Sequence, residues 1–185
     1  FSYVKNPFTI DSYFDWKLFK DHVRKSQRIM DDLIDLEIEK INKIINKINN
    51  DPESLEIKSV ELNLWKKIRE KAVDGRKTGL GVTAEGDMLA ALGLRYGTKE
   101  ATNAAVQIHR RLAIHAYESS IDMAKERGCF NIWSFGKDLI SSFVWRIHNE
   151  LSDSYAEKLL KYGRRNIALL TIAPTGTTSL MTQTT

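Results

Sequence analysis

Seven consecutive residues near the end of the sequence, Ala173-Pro174-Thr175-Gly176-Thr177-Thr178-Ser179, concentrate the groups best suited to holding an anion. The hydroxyls of Thr175, Thr177, Thr178 and Ser179 can donate to phosphate oxygens. Gly176 lets backbone amides approach a ligand with no Cβ in the way. The run follows an apolar stretch, Asn166 to Ile172, and its Pro-Thr-Gly turn leads into a predicted helix. The first N–H groups of that helix have no intrahelical partner and lie at the positive end of its dipole, an arrangement that favours phosphate. The same residues also read as a plain helix start whose hydroxyls satisfy their own backbone. No lysine stands in the run, so it is not a Walker-type P-loop.

Other reactive groups are scattered. Asp31, Asp32, Asp35 and Glu39 put carboxylates on adjacent helical turns, but no histidine lies at matching spacing, and the pattern reads as a solvated helix face. His109 and His115 lack the i, i+4 relation of a helical metal pair, so no metal site is expected. Glu85 and Asp87 fit either the neighbourhood of an active site or charge complementarity at a helix N-terminus. Arg76, Lys77, Arg164 and Arg165 precede two predicted strands, at the end opposite the hydroxyl run, and read as surface charges. Trp16, Trp65, Trp133 and Trp145 are expected in the core. Cys129 is the single cysteine. It rules out a disulfide within the chain, points to a reducing cytoplasmic compartment, and reads as structural; no catalytic residue is assigned.

The elements that must position these groups are mostly helical. A long helical pattern runs from about Asp15 to Asn50, as one helix or two with a bend, with Ile34, Ile38, Ile41, Ile45 and Ile48 on one stripe. A second helix runs from about Glu53 to Val73, with Ile57, Val60, Leu64 and Ile68 as its apolar face. Thr78–Thr83 reads as a short strand, Thr83 as the N-cap of a short helix through about Leu92, and Thr98 as the N-cap of a helix reaching Arg127 and ended by Gly128. A helix is expected over about 137–148 and another over about 154–162. Asn166–Ile172 reads as a strand buried on both faces, as in a parallel α/β sheet. The chain therefore divides into a helical pair (1–75), a strand-plus-helices unit (76–163), and a strand with the hydroxyl loop (164–185).

Composition bounds the rest. The 185 residues carry a net charge of +4, are 42% hydrophobic and 28% charged, and hold no long basic block. Neither nucleic acid nor membrane is an expected partner: no apolar run approaches the ~18 residues a membrane span needs. Two strands cannot complete a sheet, and the sequence opens on Phe1 rather than methionine, so the chain reads as an internal piece of a larger fold.

The wording of several segments is more specific than their chemistry. "RRNIALLTIAPTGTTSLMTQTT" resembles the strand and substrate-phosphate loop of the large catalytic subunit of ribonucleotide reductase, and "GRKTGLGVTAEGDMLAALGLRYGTKEAT" resembles an earlier strand and helix of that subunit. "RIMDDLIDLEIEKI" and "AKERGCF" are similar to it as well, and "TAEGDMLAALGLRYGT" with "APTGTTS" looks most like the adenosylcobalamin-dependent, class II branch. The resemblance implies a fragment of a ten-stranded α/β barrel in an enzyme that converts ribonucleotides to deoxyribonucleotides by thiyl-radical chemistry, in support of DNA replication. It implies that residues 173–179 hold the phosphates of a ribonucleoside di- or triphosphate. By the same resemblance the intact enzyme would use adenosylcobalamin and pair with the remaining parts of the barrel and with a second copy as a homodimer; this segment alone would bind no cobalamin.

The departures carry equal weight. The resembled chemistry needs a radical cysteine, a reducing cysteine pair and a neighbouring carboxylate, whereas this chain holds Cys129 alone. The segment is therefore expected to supply scaffold and the phosphate loop and to be inactive by itself. A second reading, a standalone basic helical module that binds a protein or an acidic polymer, stays open at this point; the apolar run before the hydroxyl loop is what it fails to explain.

Overall fold

Asp15 starts the first long element: its carboxylate accepts from the Leu18 amide at 2.9 Å and opens α1 (Trp16–Asn50), one unbroken helix of 35 residues. The computed structural model, which describes residues 1–184, places a small antiparallel hairpin ahead of it, β1 (Val4–Lys5) and β2 (Tyr13–Phe14). Along α1 two stripes are used in turn. Phe19, Val23, Gln27 and Asp31 are buried in its first half, then Ile41 and Ile48 in its second, where Ile34, Ile38 and Ile45 are half-buried. Ser54 caps α2 (Leu55–Gly75), which folds back on α1. Its predicted apolar face does not enter the core. Ile57, Val60 and Leu64 are exposed, Val60 by 68%, and Ile68 is half-buried.

After α2, Arg76 adopts a left-handed conformation (φ 46°) and turns the chain into an extended segment. The short helix α3 (Glu85–Ala91) follows, capped by Ala84 in a left-handed conformation rather than by Thr83. Thr98 caps α4 (Lys99–Arg127), its hydroxyl accepting from the Ala101 amide at 3.3 Å, and Gly128 ends it. The single helix expected over 137–148 is two, α5 (Phe135–Ile140) and α6 (Ser142–His148), separated at Ser141, whose hydroxyl caps the second. Then come α7 (Asp153–Tyr162), ended by Gly163, and α8 (Gly176–Thr182).

Helix α4 is the spine. Its Ile108, Leu112, Ala116 and Tyr117 pack with Phe19 and Val23 of α1, Met88 and Leu89 of α3, Val144 and Ile147 of α6, and Leu169. None of the four tryptophans reaches this core fully: Trp16, Trp65 and Trp133 are half-buried and Trp145 is exposed. Tryptophan is large enough that partial cover is its common state.

The two predicted strands lie side by side but form little regular sheet. Ile167 donates to the Gly75 carbonyl at 2.9 Å, Thr78 to Ala168 at 2.9 Å, Leu80 to Leu169 at 2.7 Å and Thr171 to Leu80 at 3.0 Å. The direction is parallel, as expected, but it amounts to one bridge, Leu80 with Leu170. The regular strands among the described residues are the two short ones of the hairpin.

Candidate functional site

The paired extended segments have two chemically different ends. At their amino ends is a buried polar hub built from α1, α4 and both segments. Asp31 is fully buried; its Oδ1 accepts from Arg76 Nε and Asn166 Nδ2, each at 2.8 Å, and its Oδ2 from Arg165 Nε at 3.2 Å and Arg127 Nη1 at 3.3 Å. Asn166 Oδ1 accepts in turn from Ser120 Oγ at 3.0 Å and Gln27 Nε2 at 3.2 Å, and Gln27 Nε2 also donates to Thr78 Oγ1 at 3.0 Å. Arg164, likewise buried, forms a two-pronged pair with Asp138 at 2.6 and 2.9 Å, and Trp133 Nε1 donates to the same carboxylate at 2.9 Å.

These contacts correct the surface assignment of Arg76 and Arg164 and the solvated-face assignment of Asp31. Burial alone raises the Asp31 carboxyl, but hydrogen bonds and charge from Arg76, together with Asn166 and Arg165, outweigh it and hold the group below the usual carboxylate range. Asp31, Asp32 and Asp35 cluster closely enough to suggest a cation site. Their oxygens are taken by guanidiniums instead: Arg76 reaches Asp31 and Asp35, and Arg127 reaches Asp31 and Asp32. The cluster is an arginine-binding one.

At the carboxyl ends the segments diverge around a cleft of about 620 Å³. One wall is residues 82–86, the other Thr171–Ala173 and Thr175, and α4 closes the back with Ala101, Thr102, Ala105 and His109. Of the predicted anion-binding residues, Ala173 and Thr175 line this cleft. Gly176, Thr177, Thr178 and Ser179 form the first turn of α8 beyond it; Pro174, Gly176, Thr177 and Thr178 are exposed.

The hydroxyls do not behave as helix caps. Thr175 stands at the N-cap position yet makes no side-chain cap bond, so the N–H groups that open α8 are left without one. Ser179 Oγ instead donates to the Gly176 carbonyl at 2.8 Å, and Thr182 Oγ1 to the Thr178 carbonyl at 2.9 Å. A Cβ built on Gly176 would meet nothing within 4 Å, so this glycine is not required by the chain's own packing.

Inside the cleft Glu85 and His109 meet, Oε2 to Nε2 at 2.9 Å, each about one-third exposed. Both residues stand out in the sequence singly. Their pairing does not, because 24 positions separate them and only the fold of α3 against α4 joins them. The polar hub is equally invisible in one dimension, though Asn166 carries a hint: a polar residue heading an apolar run needs a partner if the run is buried. His115 pairs with Glu118 at 3.0 Å, and Cys129 is a free, half-buried thiol.

Against this geometry stand the known proteins that the chain resembles. A family model described as ribonucleotide reductase, barrel domain, matches residues 3–185. The chain is 34% identical over 116 residues to a vitamin B12-dependent ribonucleoside-diphosphate reductase of Mycobacterium tuberculosis, which covers 63% of this chain and 14% of that protein. It is 28% identical over 143 residues to the ribonucleoside-diphosphate reductase subunit alpha of Helicobacter pylori, covering 68% of this chain and 18% of that protein. A subunit alpha of Treponema pallidum is 30% identical over 113 residues, 60% of this chain and 13% of that protein. The chain thus spans less than one-fifth of the length of these curated relatives.

Proposed function

This chain belongs to the ribonucleotide reductase barrel-domain family, and on that premise we propose that the whole protein reduces ribonucleotides to deoxyribonucleotides, with residues 173–179 holding the substrate's phosphates. The observation that carries the loop assignment is the uncapped start of α8 beside the cleft, directly after a segment paired in parallel with its neighbour. Ligands of open α/β sheets gather beyond the carboxyl ends of the strands. Here that end carries free helix-start amides and threonine hydroxyls, while the opposite end is closed by arginine–aspartate pairs. The two parallel segments are then neighbouring strands of a ten-stranded barrel whose other strands lie in other parts of the protein. The relatives' names favour a ribonucleoside diphosphate over a triphosphate. A soluble, cytoplasmic enzyme, working as a homodimer, suits a reductase that supplies DNA replication; among the described residues no helix is long and apolar enough to cross a membrane. The standalone interaction module is not favoured, because the family match runs through the whole helical region as well as the loop.

Adenosylcobalamin is proposed for the intact enzyme on the M. tuberculosis relative's name and the class II wording of the sequence. When bound it would supply the radical. The residues described here do not fit it: the cleft of about 620 Å³ is too small to enclose a corrin with its nucleotide tail, and we assign the group to none of them. The role of this segment is to bind and orient. The α8 amides and the Thr177 and Thr178 hydroxyls donate hydrogen bonds to phosphate oxygens, and the buried hub holds both segments at the spacing that brings the loop to the cleft.

Thr177→Val tests the assignment in the full-length protein. It keeps the shape and removes one donor to a charged group, worth about 1.5–3 kcal/mol, or roughly 10- to 150-fold in affinity for a ribonucleoside diphosphate. An unchanged substrate dissociation constant would remove Thr177 from the site.

A further inference from the structure

Helix α2 has two different sides. On one, Leu62, Trp65 and Ala72 are half-buried, Arg69 Nε donates to Asn42 Oδ1 at 2.7 Å and Lys58 Nζ to the Asn49 carbonyl at 3.2 Å, so this side lies on α1. On the other, Ile57, Val60 and Leu64 are each more than half exposed. Their spacing of three and four residues continues through Lys67 and Lys71, which makes one stripe along the helix with the period of a coiled-coil seam. A single exposed apolar side chain is ordinary, but three in register on one face form a patch that another helix can cover. The stripe also carries a charge gradient. Glu53 and Glu56 stand at its amino end, Lys67 and Lys71 at its carboxyl end. Among the described residues Glu53, Glu56 and Lys67 form no ion pair, and Lys71 meets only the adjacent Glu70, at 3.5 Å.

We propose that this stripe is a contact between two copies of the protein, with α2 of one antiparallel to α2 of the other and the two-fold axis passing between Val60 and Leu64. The charge pattern selects both partner and direction. An antiparallel second copy brings its Lys67 and Lys71 to Glu53 and Glu56, at both ends at once. A parallel one sets Lys67 against Lys67 and Lys71 against Lys71. A two-fold contact requires a surface that complements itself, and a stripe that runs acidic, apolar, basic does so when reversed. Val60 then meets Leu64 of the second copy, and the Lys67 stem covers Ile57. Exposed ion pairs add little affinity, so the apolar centre holds the two helices together and the charges set their direction. The 21 residues of α2 extend about 30 Å. One helix pair of that length is at the small end of protein interfaces, so the contact is reversible. Neither the loop nor the cleft takes part. The contact builds on the homodimer reading and gives it a surface.

Full-length Val60→Cys and Leu64→Cys variants are mixed and oxidised, and cross-linked peptides are identified by mass spectrometry. A disulfide joining the two introduced positions is expected, more abundant in the mixture than in either variant alone. Sedimentation of full-length native protein should show a reversible dimer. Lys67→Glu with Lys71→Glu should weaken self-association roughly 5- to 30-fold, and adding Glu53→Lys and Glu56→Lys should restore it. All these positions are exposed, so melting temperatures should stay near the native value. A protein that dimerises but gives no such cross-link, or whose dimer ignores the lysine reversals, overturns α2 as the contact and keeps the homodimer. A monomer at every concentration overturns both. Loss on reversal without rescue by the fourfold variant overturns the antiparallel direction. Introduced thiols that resist a maleimide in the monomer mean that another part of the same chain covers the stripe, and thiols that stay reactive in the dimer leave it to a different partner; either result overturns the proposal.

Discussion

The Asp31 carboxylate accepts four hydrogen bonds, from three arginines and an asparagine, in a position with no solvent exposure. Removing one partner from such a cluster leaves the others buried and uncompensated, so the cost exceeds the value of any single bond. Asp31→Ala is expected to lower stability by about 3–5 kcal/mol, read as a shift in the urea midpoint, whereas Asp21→Ala, at an exposed i, i+4 pair with Lys25, should do almost nothing. Asp31 in the hub, with Glu118 and Asp122 on α4 outside it, sets a pH dependence. Burial raises the carboxyls of Asp31, Glu118 and Asp122, but hydrogen bonds from Arg76, from His115, and from Tyr155 and Arg24 respectively outweigh it and leave all three lowered. A lowered folded-state value means that the native state holds its charge where the unfolded chain would already take a proton. The stabilisation is therefore complete above the ordinary carboxylate range, near pH 4–4.5, and is lost as pH falls through the lower folded values. Unfolding midpoints flat from pH 7 to 5 and falling steeply below about pH 4 are expected; the acid limb should flatten in Asp31→Asn. Single residues were the least legible level of the sequence. Arg76 and Asp31 are 45 positions apart, and each has the composition of a surface residue until the fold brings them together.

At the scale of elements, legibility followed the period of the apolar pattern. Helices α1 and α4 carry long runs at 3.6-residue spacing and capping residues at their starts, and they lie within a residue or two of where the sequence puts them. The apolar stripe of α2 was legible as helix but misleading about direction, because periodicity says which residues share a face and not what covers it. The break between α5 and α6 hides at Ser141, where a serine can cap a new helix as readily as sit inside an old one. The extended segments were legible as neighbours and as parallel, but not as a pair this irregular. Gly81 explains the closeness: a Cβ there would lie 2.8 Å from the Thr171 carbonyl oxygen. Gly81→Ala must push the segments apart just where they open into the cleft, at a cost of about 1–3 kcal/mol. Gly176→Val, with nothing within 4 Å of its Cβ, should leave the melting temperature nearly unchanged. If Gly176→Val nevertheless abolishes diphosphate binding, the block falls on the ligand's approach and not on the fold. If Gly81→Ala melts like the native protein, the two segments are free to slide and the cleft is less rigid than its contacts indicate.

The whole molecule combines a well-packed helical body with surfaces that none of the described residues covers. Helix α4 gathers α1, α3 and α6 around one core, while Leu55 and Val60 on α2 and Ile172, Leu180 and Met181 around the loop stand open to solvent, Ile172 by 91%. The two extended segments make one bridge with each other, and regular pairing on their outer edges would have to come from other chain. Produced as 185 residues and nothing more, the protein is therefore expected to keep its helices yet associate. Light scattering should show growth with concentration, and hydrogen exchange should protect α4 far better than Thr78–Val82 and Ile167–Ile172. The same preparation should not turn over. The thiyl-radical route that the family resemblance implies consumes a reducing cysteine pair and needs a radical cysteine besides, and Cys129 is one half-buried thiol. Incubation with ribonucleoside diphosphates, adenosylcobalamin and a dithiol, followed by chromatography for deoxyribonucleotides, measures this directly. Any product above the protein-free control would show that the reducing chemistry needs no cysteine beyond Cys129. A monodisperse monomer with both extended segments strongly protected would show that the helical body stabilises them unaided. Association without turnover is the outcome expected of a helical body with two sparsely paired extended segments and a single thiol.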